Sequence, residues 1–449
     1  MKHHDERKSK IGYGAVIAAV YLAWFYPEFF SRPLVVMPVF ALLLLKERGK
    51  GLLYLFALSL FGVTLYALAA SSPEVSVDKS RINALYGSVI QDSSQKKGRS
   101  TGYRIRMDAV SDEDGNLFSA SGNLYVVAPS SDFVYGDRIE THGRFSEEIF
   151  IASSSRLLER GRTAALRHNA VSWIKDRLRD AGSAGELGMR LLLGYGDDGV
   201  FALSDNARQS GLSHVLALSG MHLSIIAVIV SKPLGLIFGK KSRHLVSIIL
   251  FLFSFLSGWR PSLMRAFIFR MLYQRGISME ESFMLSYIIL LMIFPESVID
   301  LGAMYSFISL GGIFILSESL DESMRNIIPL PYSFSVSAAA SASALLFSIP
   351  LTLDVFGSYQ LGAIISSFPF SALISLYMWV AIAVVCMPCL SPLLELFYKI
   401  LEKAFELAAI FPQSDSLLSY LILLASVFSV LLLGKLIAIA FEKRKGAAR

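Results

Sequence analysis

The sequence carries little charge for its length. Only 17% of its 449 residues are charged, whereas 54% are hydrophobic, and soluble chains average about 25% charged residues. The mean hydropathy is +0.54, and apolar runs of membrane-spanning length recur along the chain. These properties exclude an ordinary soluble protein and predict a polytopic α-helical membrane protein. The formal net charge of +6 is typical of basic cytoplasmic loops and does not by itself indicate nucleic-acid binding.

Several signatures of chemistry are also missing. The only cysteines are Cys386 and Cys389, so no disulfide framework is expected. Their spacing suits a redox or zinc motif, but no second ligand pair accompanies them, and we expect two small buried apolar side chains. The sequence contains no G-x-x-x-x-G-K-S/T loop, no H-E-x-x-H and no H-x-H-x-D-H cluster, which argues against an ATPase and against those metal-dependent hydrolases. We therefore expect no catalytic residues, no metal and no cofactor.

Basic loops predict the orientation of the N-terminal part. Three spans are expected, at about 11–30, 33–45 and 51–70. The N-terminus and the loop 46–50 are rich in Lys and Arg, and basic loops lie on the cytoplasmic side. We therefore expect a cytoplasmic N-terminus and an exit to the outer side after Ala70.

The region from residue 211 onward is expected to be a second membrane domain. Apolar runs predict spans at about 212–238, 245–258, 262–274, 282–295, 299–317, 334–353 and 416–440. The run 359–388 is interrupted at 366–371, and we expect a re-entrant hairpin there, followed by an amphipathic helix at 391–411 on the outer side. With that hairpin the C-terminus is cytoplasmic, as its basic residues favour.

Residues 71–155 have a different character. Short segments of alternating apolar and polar residues predict about five strands, and Asp114-Gly115 is a hairpin signal. Tyr135-Gly-Asp-Arg138 predicts a turn into another strand. The size and strand spacing favour a small OB-like β-barrel inserted on the extracytoplasmic side.

Residues 156–210 are expected to form amphipathic helices and a linker. Between residues 156 and 180, seven Lys or Arg residues accompany three Asp or Glu residues, a pattern typical of a helix on the membrane surface or against the barrel. The chain thus divides into 1–70, 71–155, 156–210 and 211–449.

Polar residues are concentrated at the start of the second membrane domain, in Gly211-Leu-Ser-His-Val-Leu-Ala-Leu-Ser-Gly-Met-His222. Glycine in a helix interior costs about 1 kcal/mol, so a break or a close packing is expected at Ser219-Gly220. One interpretation is close helix packing, with the histidines in interhelical hydrogen bonds. The other is a polar cavity or path through the membrane, because ionisable residues at membrane depth are functional by default. Its lining would be Ser213, His214, Ser219, Gly220 and His222.

Arginines form a second cluster. Arg260 precedes Pro261, which suits the first position of a helix, and Arg265 and Arg270 fall inside the apolar run that follows. One interpretation of Arg260 and Arg270 is snorkelling to the membrane surface, and the other is that they face a wet cavity or a partner. Arg265 lies too far along the segment for easy escape. An arginine-lined cavity suits a polyanion, because phosphates accept charge-assisted hydrogen bonds.

The order of these motifs resembles the ComEC family of bacterial competence proteins, which are inner-membrane channels for DNA uptake. The string 211–222 is very similar to the family hallmark S-H-L-L-A-I-S-G-L-H. The resemblance covers roughly residues 71–388. Supporting similarities are Leu191-Leu-Leu-Gly194, Arg260-Pro-Ser-Leu-Met-Arg-Ala266, Met304-Tyr-Ser-Phe307, Ile349-Pro350 before Phe356-Gly357, and the barrel turn 135–138.

This resemblance implies a channel for single-stranded DNA in natural transformation, without covalent chemistry. It places the lining residues of the string 211–222 in the channel core, with Arg260 and Arg265 beside them. The implied partners are a cytoplasmic helicase-like ATPase and surface DNA-binding proteins, besides membrane lipids. Many family members carry a metallo-β-lactamase-like domain that follows the membrane domain. None is seen in this sequence, so a separate nuclease is expected.

The expected barrel departs from a strand-binding surface in its charge. Residues 71–150 contain nine Lys or Arg and twelve Asp or Glu, a net charge of 9 − 12 = −3, whereas a non-specific single-strand binder offers a positive groove with stacking aromatics. A local DNA contact could still form from Tyr103, Arg104, Arg106 and Tyr125. The basic stretch 156–179 is the alternative guide for DNA.

Two rival functions remain open. An intramembrane hydrolase would use Ser219 with a histidine as its base, oriented by Asp197, Asp198 or Asp205. A transporter of another polyanion or a lipid would use the same polar path.

Overall fold

The computed structural model describes residues 16–17, 19–20, 74–95, 100–129, 131–146, 149–195, 200–294, 297, 300–411 and 413–447. Most of the three expected N-terminal spans therefore lies outside the described residues. Of the first span, Val16 and Val20 are helical and buried, and they pack in one apolar cluster with Phe283 and Phe307. The remainder of the chain forms a β-barrel followed by a helical domain.

In the described residues, seven strands precede the helical domain. They are β1 (Glu74–Val75), β2 (Ile82–Gln95), β3 (Ser100–Asp112), β4 (Leu117–Ser121), β5 (Asn123–Pro129), β6 (Arg138–Ser146) and β7 (Ile149–Glu159). Five of them close on themselves, because β3 pairs with β2 and β5, β5 runs parallel to β7, and β6 joins β7 back to β2. This closed barrel confirms the expected OB-like domain.

Two predicted turns set the barrel register. Gly115 has φ +83°, and the chain turns there from β3 into the antiparallel β4. Gly136 has φ +90°, and β6 begins two residues later at Arg138. Both glycines adopt a left-handed conformation that other residues rarely take. The last strand continues to Glu159, so the barrel does not end at residue 155.

Thirteen helices follow in the described part of the chain. They are α1 (Arg162–Arg179), α2 (Gly182–Leu193), α3 (Phe201–Gln209), α4 (Ser213–Leu216), α5 (Gly220–Phe238), α6 (Ser242–Leu256), α7 (Pro261–Gln274), α8 (Met279–Ile293), α9 (Leu301–Ile327), α10 (Tyr332–Phe356), α11 (Ala363–Cys386), α12 (Ser391–Ala408) and α13 (Leu417–Ala447). Among the described residues, five helices are long and apolar enough to cross a membrane, namely α5, α9, α10, α11 and most of α13. The chain is a polytopic membrane protein with an inserted small barrel.

Three of the expected spans are short helices. α6, α7 and α8 contain 15, 14 and 15 residues. At about 1.5 Å per residue, such a helix is roughly 22 Å long, which is less than the roughly 30 Å of a hydrocarbon core. The second of them, α7, brings Ser262 and Arg265 to the start of α5.

The helical domain has two ends, which the contacts with the barrel define. Arg167 on α1 binds backbone carbonyls at the end of α6, and Arg260 begins α7; we call this the barrel-side end. Short loops join successive helices, so the chain alternates between the two ends. The far end carries the loops 239–241, 275–278 and 328–331. Its basic residues include Lys240, Lys241, Arg243 and Arg275.

The re-entrant hairpin expected within 359–388 is wrong. α11 is one continuous helix with Pro369 inside it, and Ser366 and Ser371 donate hydrogen bonds to carbonyls four residues earlier. Tyr359–Gln360 (β8), just before α11, pairs with Gln413–Ser414 (β9), just after α12. The chain therefore leaves through α11 and returns through α12 to the same end of the helical domain. The hairpin is therefore formed by α11 and α12, which pack against each other through Phe370 and Phe405.

Surface exposure corrects the expectation for the cysteines and locates the lipid-facing helix. Cys386 and Cys389 are exposed rather than buried, because they lie at the connection between α11 and α12.

The last helix, α13, exposes most of its apolar side chains. Large exposed apolar surfaces belong in a membrane or an interface, and this one includes Leu418, Leu421, Ile422, Phe428, Leu432 and Leu436.

Candidate functional site

The helix break expected at Ser219-Gly220 is present. α4 ends at Leu216, Ala217 and Ser219 have extended backbone conformations, and α5 begins at Gly220. The break frees backbone groups at membrane depth, where protein groups or water must satisfy them. One of them, the Leu218 carbonyl, accepts a hydrogen bond from the Ser262 hydroxyl on α7 at 2.8 Å.

His222 is held by the residue that starts the helix. The Ser219 backbone N–H donates to His222 Nδ1 at 3.2 Å, and Ser219 Oγ lies 3.1 Å from the same nitrogen. Because Nδ1 accepts from a backbone N–H, a neutral imidazole carries its proton on Nε2. His222 is fully buried, and its Nε2 has no hydrogen-bond partner in the described part of the chain.

Arg265 lies against the first residue of α5. A Cβ placed on Gly220 would lie 2.9 Å from Arg265 Nη2, so glycine makes room for the guanidinium. Arg265 is only 6% exposed, and its Nε finds no hydrogen-bond partner among the described residues. Its guanidinium carbon stands 5.8 Å from the centroid of the Phe307 ring, an attractive cation–π arrangement.

We call Ser219, Gly220, His222, Ser262 and Arg265 the polar break. Two of its donors, His222 Nε2 and Arg265 Nε, are buried without an acceptor in the part of the chain that the structure describes. Leaving a buried donor unsatisfied costs about 1–3 kcal/mol, and more when it is charged. The arrangement is therefore unfavourable for pure helix packing and suited to holding an acceptor.

Three other predicted site residues lie outside the polar break. Ser213 and His214 are on the short helix α4 and are exposed, with His214 Nδ1 3.2 Å from the Gly211 carbonyl. Arg260 is half-buried and donates to the Gly194 carbonyl at 2.9 Å. Gly194 ends α2 in a left-handed conformation, so the motif 191–194 is tied to the start of α7.

Arg260 lies at the barrel-side end of the helical domain, next to a residue that also interacts with the barrel. Asp300 accepts a hydrogen bond from the Ala303 N–H at 2.8 Å and begins α9. It interacts electrostatically with Arg260 and with Arg104 of the barrel. Asp300 was not among the predicted site residues, although an aspartate before an apolar run is a helix-start signal.

Of the four candidate DNA contacts in the barrel, Tyr103 is wrong. Tyr103 is fully buried, and its hydroxyl lies 2.8 Å from Ser155 Oγ and 3.2 Å from Thr141 Oγ1. Successive residues of a strand face opposite sides, so Arg104 and Arg106 point away from the core. Tyr125 lies directly opposite Arg104 on the neighbouring strand.

A buried ion pair, missed by the sequence reasoning, docks the barrel on the helices. Asp92 of β2 binds Arg167 of α1 through both carboxylate oxygens, and the two residues are 5% and 1% exposed. The Tyr135 N–H donates to Asp92 Oδ1 at 2.7 Å, and Arg167 donates to the Phe255 carbonyl at 2.8 Å. Burial alone would lower the pKa of Arg167, but the Asp92 carboxylate raises it.

A tight glycine completes this junction. Gly258 has φ +77°, and a Cβ there would lie 2.6 Å from Asp92 Oδ2 and 2.9 Å from Arg167 Nη2. Nothing in the neighbouring sequence marks Gly258 as a tight position. Its partners come from residues more than 90 positions away, which no local pattern connects.

The other predicted chemistry is not assembled in the described residues. No group of three His, Cys, Asp or Glu side chains there is placed to hold a metal ion. Asp205 is engaged by Arg208 at 3.0 Å and Gln209 at 2.8 Å rather than by a histidine. Asp197 and Asp198 lie outside the described residues.

Comparison with known proteins gives one match. Residues 191–443, more than half of the chain, match the family model described as Competence protein. The matched region begins at the motif 191–194 and contains the whole polar break. No curated protein and no solved structure matches the chain.

Proposed function

We propose, from the premise that this chain belongs to the competence protein family, that it is the channel through which single-stranded DNA crosses the bacterial inner membrane during natural transformation. Membership of the family supports a role in DNA uptake. The observation that supports the channel assignment is the polar break, where a buried arginine and a buried histidine lack acceptors among the described residues.

The arrangement of basic residues supports a route for the strand. Asp300 at the barrel-side end of the helices interacts electrostatically with Arg260 and with Arg104 of the barrel. Arg265 follows Arg260 by five residues on α7, which places it roughly 7.5 Å farther along the helix axis. An arriving phosphodiester would therefore meet successive positive groups from the barrel rim inward.

The orientation follows from the two ends of the helical domain. Basic residues are gathered in the far-end loops, for example Lys240, Lys241 and Arg243, and basic loops favour the cytoplasmic side. The far end is then cytoplasmic, the barrel is extracytoplasmic, and α13 brings the C-terminus to the cytoplasm. The partners would be surface DNA-binding proteins outside, a separate nuclease, and a helicase-like ATPase inside that pulls the strand.

The direct test is uptake of a labelled single strand by vesicles that contain the purified protein. We expect uptake by the wild type and at least a tenfold loss in Arg265→Ala and His222→Ala, since each removes one of the buried donors. In a naturally competent host, deletion of the gene should abolish transformation and leave DNA capture at the surface intact. Unchanged transformation after deletion would refute the proposal.

One observation favours a rival function, an intramembrane hydrolase. Ser219 Oγ lies 3.1 Å from His222 Nδ1, within reach for a nucleophile and its base. However, His222 Nε2 has no carboxylate partner in the described chain, and the same contact is part of the helix cap. Labelling by a fluorophosphonate that is lost in Ser219→Ala would establish the hydrolase, and absence of labelling would exclude it.

A further inference from the structure

Donors are gathered at the start of α5. α5 has 19 residues, and the N–H groups of its first two residues, Gly220 and Met221, precede the first intrahelical hydrogen bonds, whereas those of His222 and Leu223 bond back to the Ser219 carbonyl. The guanidinium of Arg265 lies beside them, since its Nη2 is 2.9 Å from the position of a Cβ on Gly220. A helix N-terminus with an arginine beside it attracts anions.

The unpartnered side chains point to a ligand independently of the helix end. Arg265 is 6% exposed with an unpartnered Nε, and the fully buried His222 carries an unpartnered Nε2. In the described chain, no carboxylate forms an ion pair with Arg265, and the Ser262 hydroxyl is already used by Leu218. A guanidinium with a purely structural role would be expected to have an internal acceptor.

The chemistry of the missing acceptor is specific. Backbone N–H groups, a planar guanidinium and an imidazole N–H are all donors, so the ligand must offer several acceptor oxygens and a negative charge. A phosphate group meets these requirements, and arginine binds it in a bidentate manner. A metal cation is excluded by the same donors.

We propose that the N-terminus of α5, with Arg265 and His222, is a binding site for one phosphodiester group of the passing DNA strand. This inference rests on the proposed function and deepens it by naming the contact. The site is closed in this structure, because both side chains are buried, so an entering strand must displace the packing around Gly220. Gly220 is then the residue that keeps the guanidinium close to the helix end.

The salt dependence of binding tests the phosphate contact. Affinity for single strands falls with salt by a slope of about 0.7 per phosphate neutralised. We would measure the affinity of a fluorescent oligothymidylate for the full chain in lipid nanodiscs at several salt concentrations. Arg265→Gln should weaken binding about tenfold and reduce the slope by about 0.7. Arg275→Gln, which removes a charge at the far end of the same helix, should change neither.

Two further variants keep the test decisive if Arg265→Gln does not fold. Arg265→Lys retains the charge and loses the planar guanidinium. The slope of affinity against salt concentration should therefore stay the same, and the affinity should fall severalfold. Gly220→Ala should weaken binding because its methyl group would meet the guanidinium. Gly235→Ala on the same helix, where nothing lies within 4 Å of the added Cβ, should bind like the wild type.

The possible results distinguish failure of the phosphate-site inference from failure of the proposed channel function. Wild-type binding with equal slopes and affinities in the wild type and the Arg265 variants overturns the inference and leaves the channel intact. Thermal stabilisation by inorganic phosphate, without any effect of Arg265 variants on oligonucleotide affinity, assigns the site to free phosphate and also overturns it. A wild-type protein that neither binds nor transports the strand refutes the proposed function itself.

Discussion

Replacing Arg167 with methionine should undock the barrel from the helical domain. The substitution keeps most of the side-chain volume but leaves the Asp92 carboxylate, 5% exposed, without its cation. Asp92 would retain only the N–H of Tyr135 at 2.7 Å and the hydroxyl of Tyr195 at 3.3 Å. The Phe255 carbonyl would lose its 2.8 Å donor.

The magnitude follows from the burial of this pair. Removing one partner of a buried ion pair costs about 3–5 kcal/mol, because the other charge stays buried and uncompensated. Every 1.4 kcal/mol is a factor of ten, so the population of the undocked state should rise by about a hundredfold to a few thousandfold. Tyr135 and Gly258 lie on the two sides of this junction, in the barrel and in the helical domain, so undocking exposes both segments to water.

Hydrogen–deuterium exchange of the purified protein is the assay. Exchange in the segments around Tyr135 and Gly258 should accelerate in Arg167→Met, while amides in the core strands of the barrel change little, because local opening is measured segment by segment. The matched control is Arg179→Met on the same helix, whose 3.2 Å ion pair with Asp176 is exposed and contributes about 1 kcal/mol at most. Equal exchange in the two variants would refute the reasoning.

Three further predictions follow from the described contacts. Gly258→Ala should be more destabilising in thermal unfolding than Gly276→Ala, because both have positive φ but only the first Cβ meets other atoms; equal losses would show that backbone strain alone matters. Tyr103→Phe should lower the free energy of unfolding of the barrel by about 1–3 kcal/mol and leave oligonucleotide affinity unchanged. Arg104→Gln should weaken oligonucleotide binding. Weaker binding by Tyr103→Phe with unchanged stability would place Tyr103 at the surface. A C-terminal green fluorescent protein should fluoresce and a C-terminal alkaline phosphatase should be inactive, and the reverse would overturn the cytoplasmic C-terminus.

The sequence predicted the barrel because its signals are local. Alternation, the pair Asp114-Gly115 and the turn at Gly136 depend on neighbouring residues, and the structure has a strand or turn at each. Closure of the barrel could also be predicted, since the small size of the β domain limits the alternative folds. The end of the last strand was misplaced because Arg156 to Glu159 carry no turn signal, and pairing with β6 extends the strand.

The helical domain was predicted less well, because hydropathy reports the composition of a segment rather than the path of the chain. A proline between serines predicted an interruption at 366–371, yet α11 continues through Pro369, since membrane helices tolerate proline where neighbouring groups satisfy the freed carbonyl. The true hairpin depends on the pairing of residues 359–360 with 413–414. Such pairing joins segments 50 residues apart and leaves no pattern in either of them.

By itself, the sequence determined the class of the protein, the barrel and the polar string at residues 211–222, because each depends on composition or on short spacings. Only the tertiary structure decided which polar residues meet. It separated His214 from His222, placed Arg265 against Gly220 and joined Asp92 to Arg167 and Gly258. The physical reason is that a buried polar group is defined by the partner it finds or lacks, and that partner comes from a distant part of the chain.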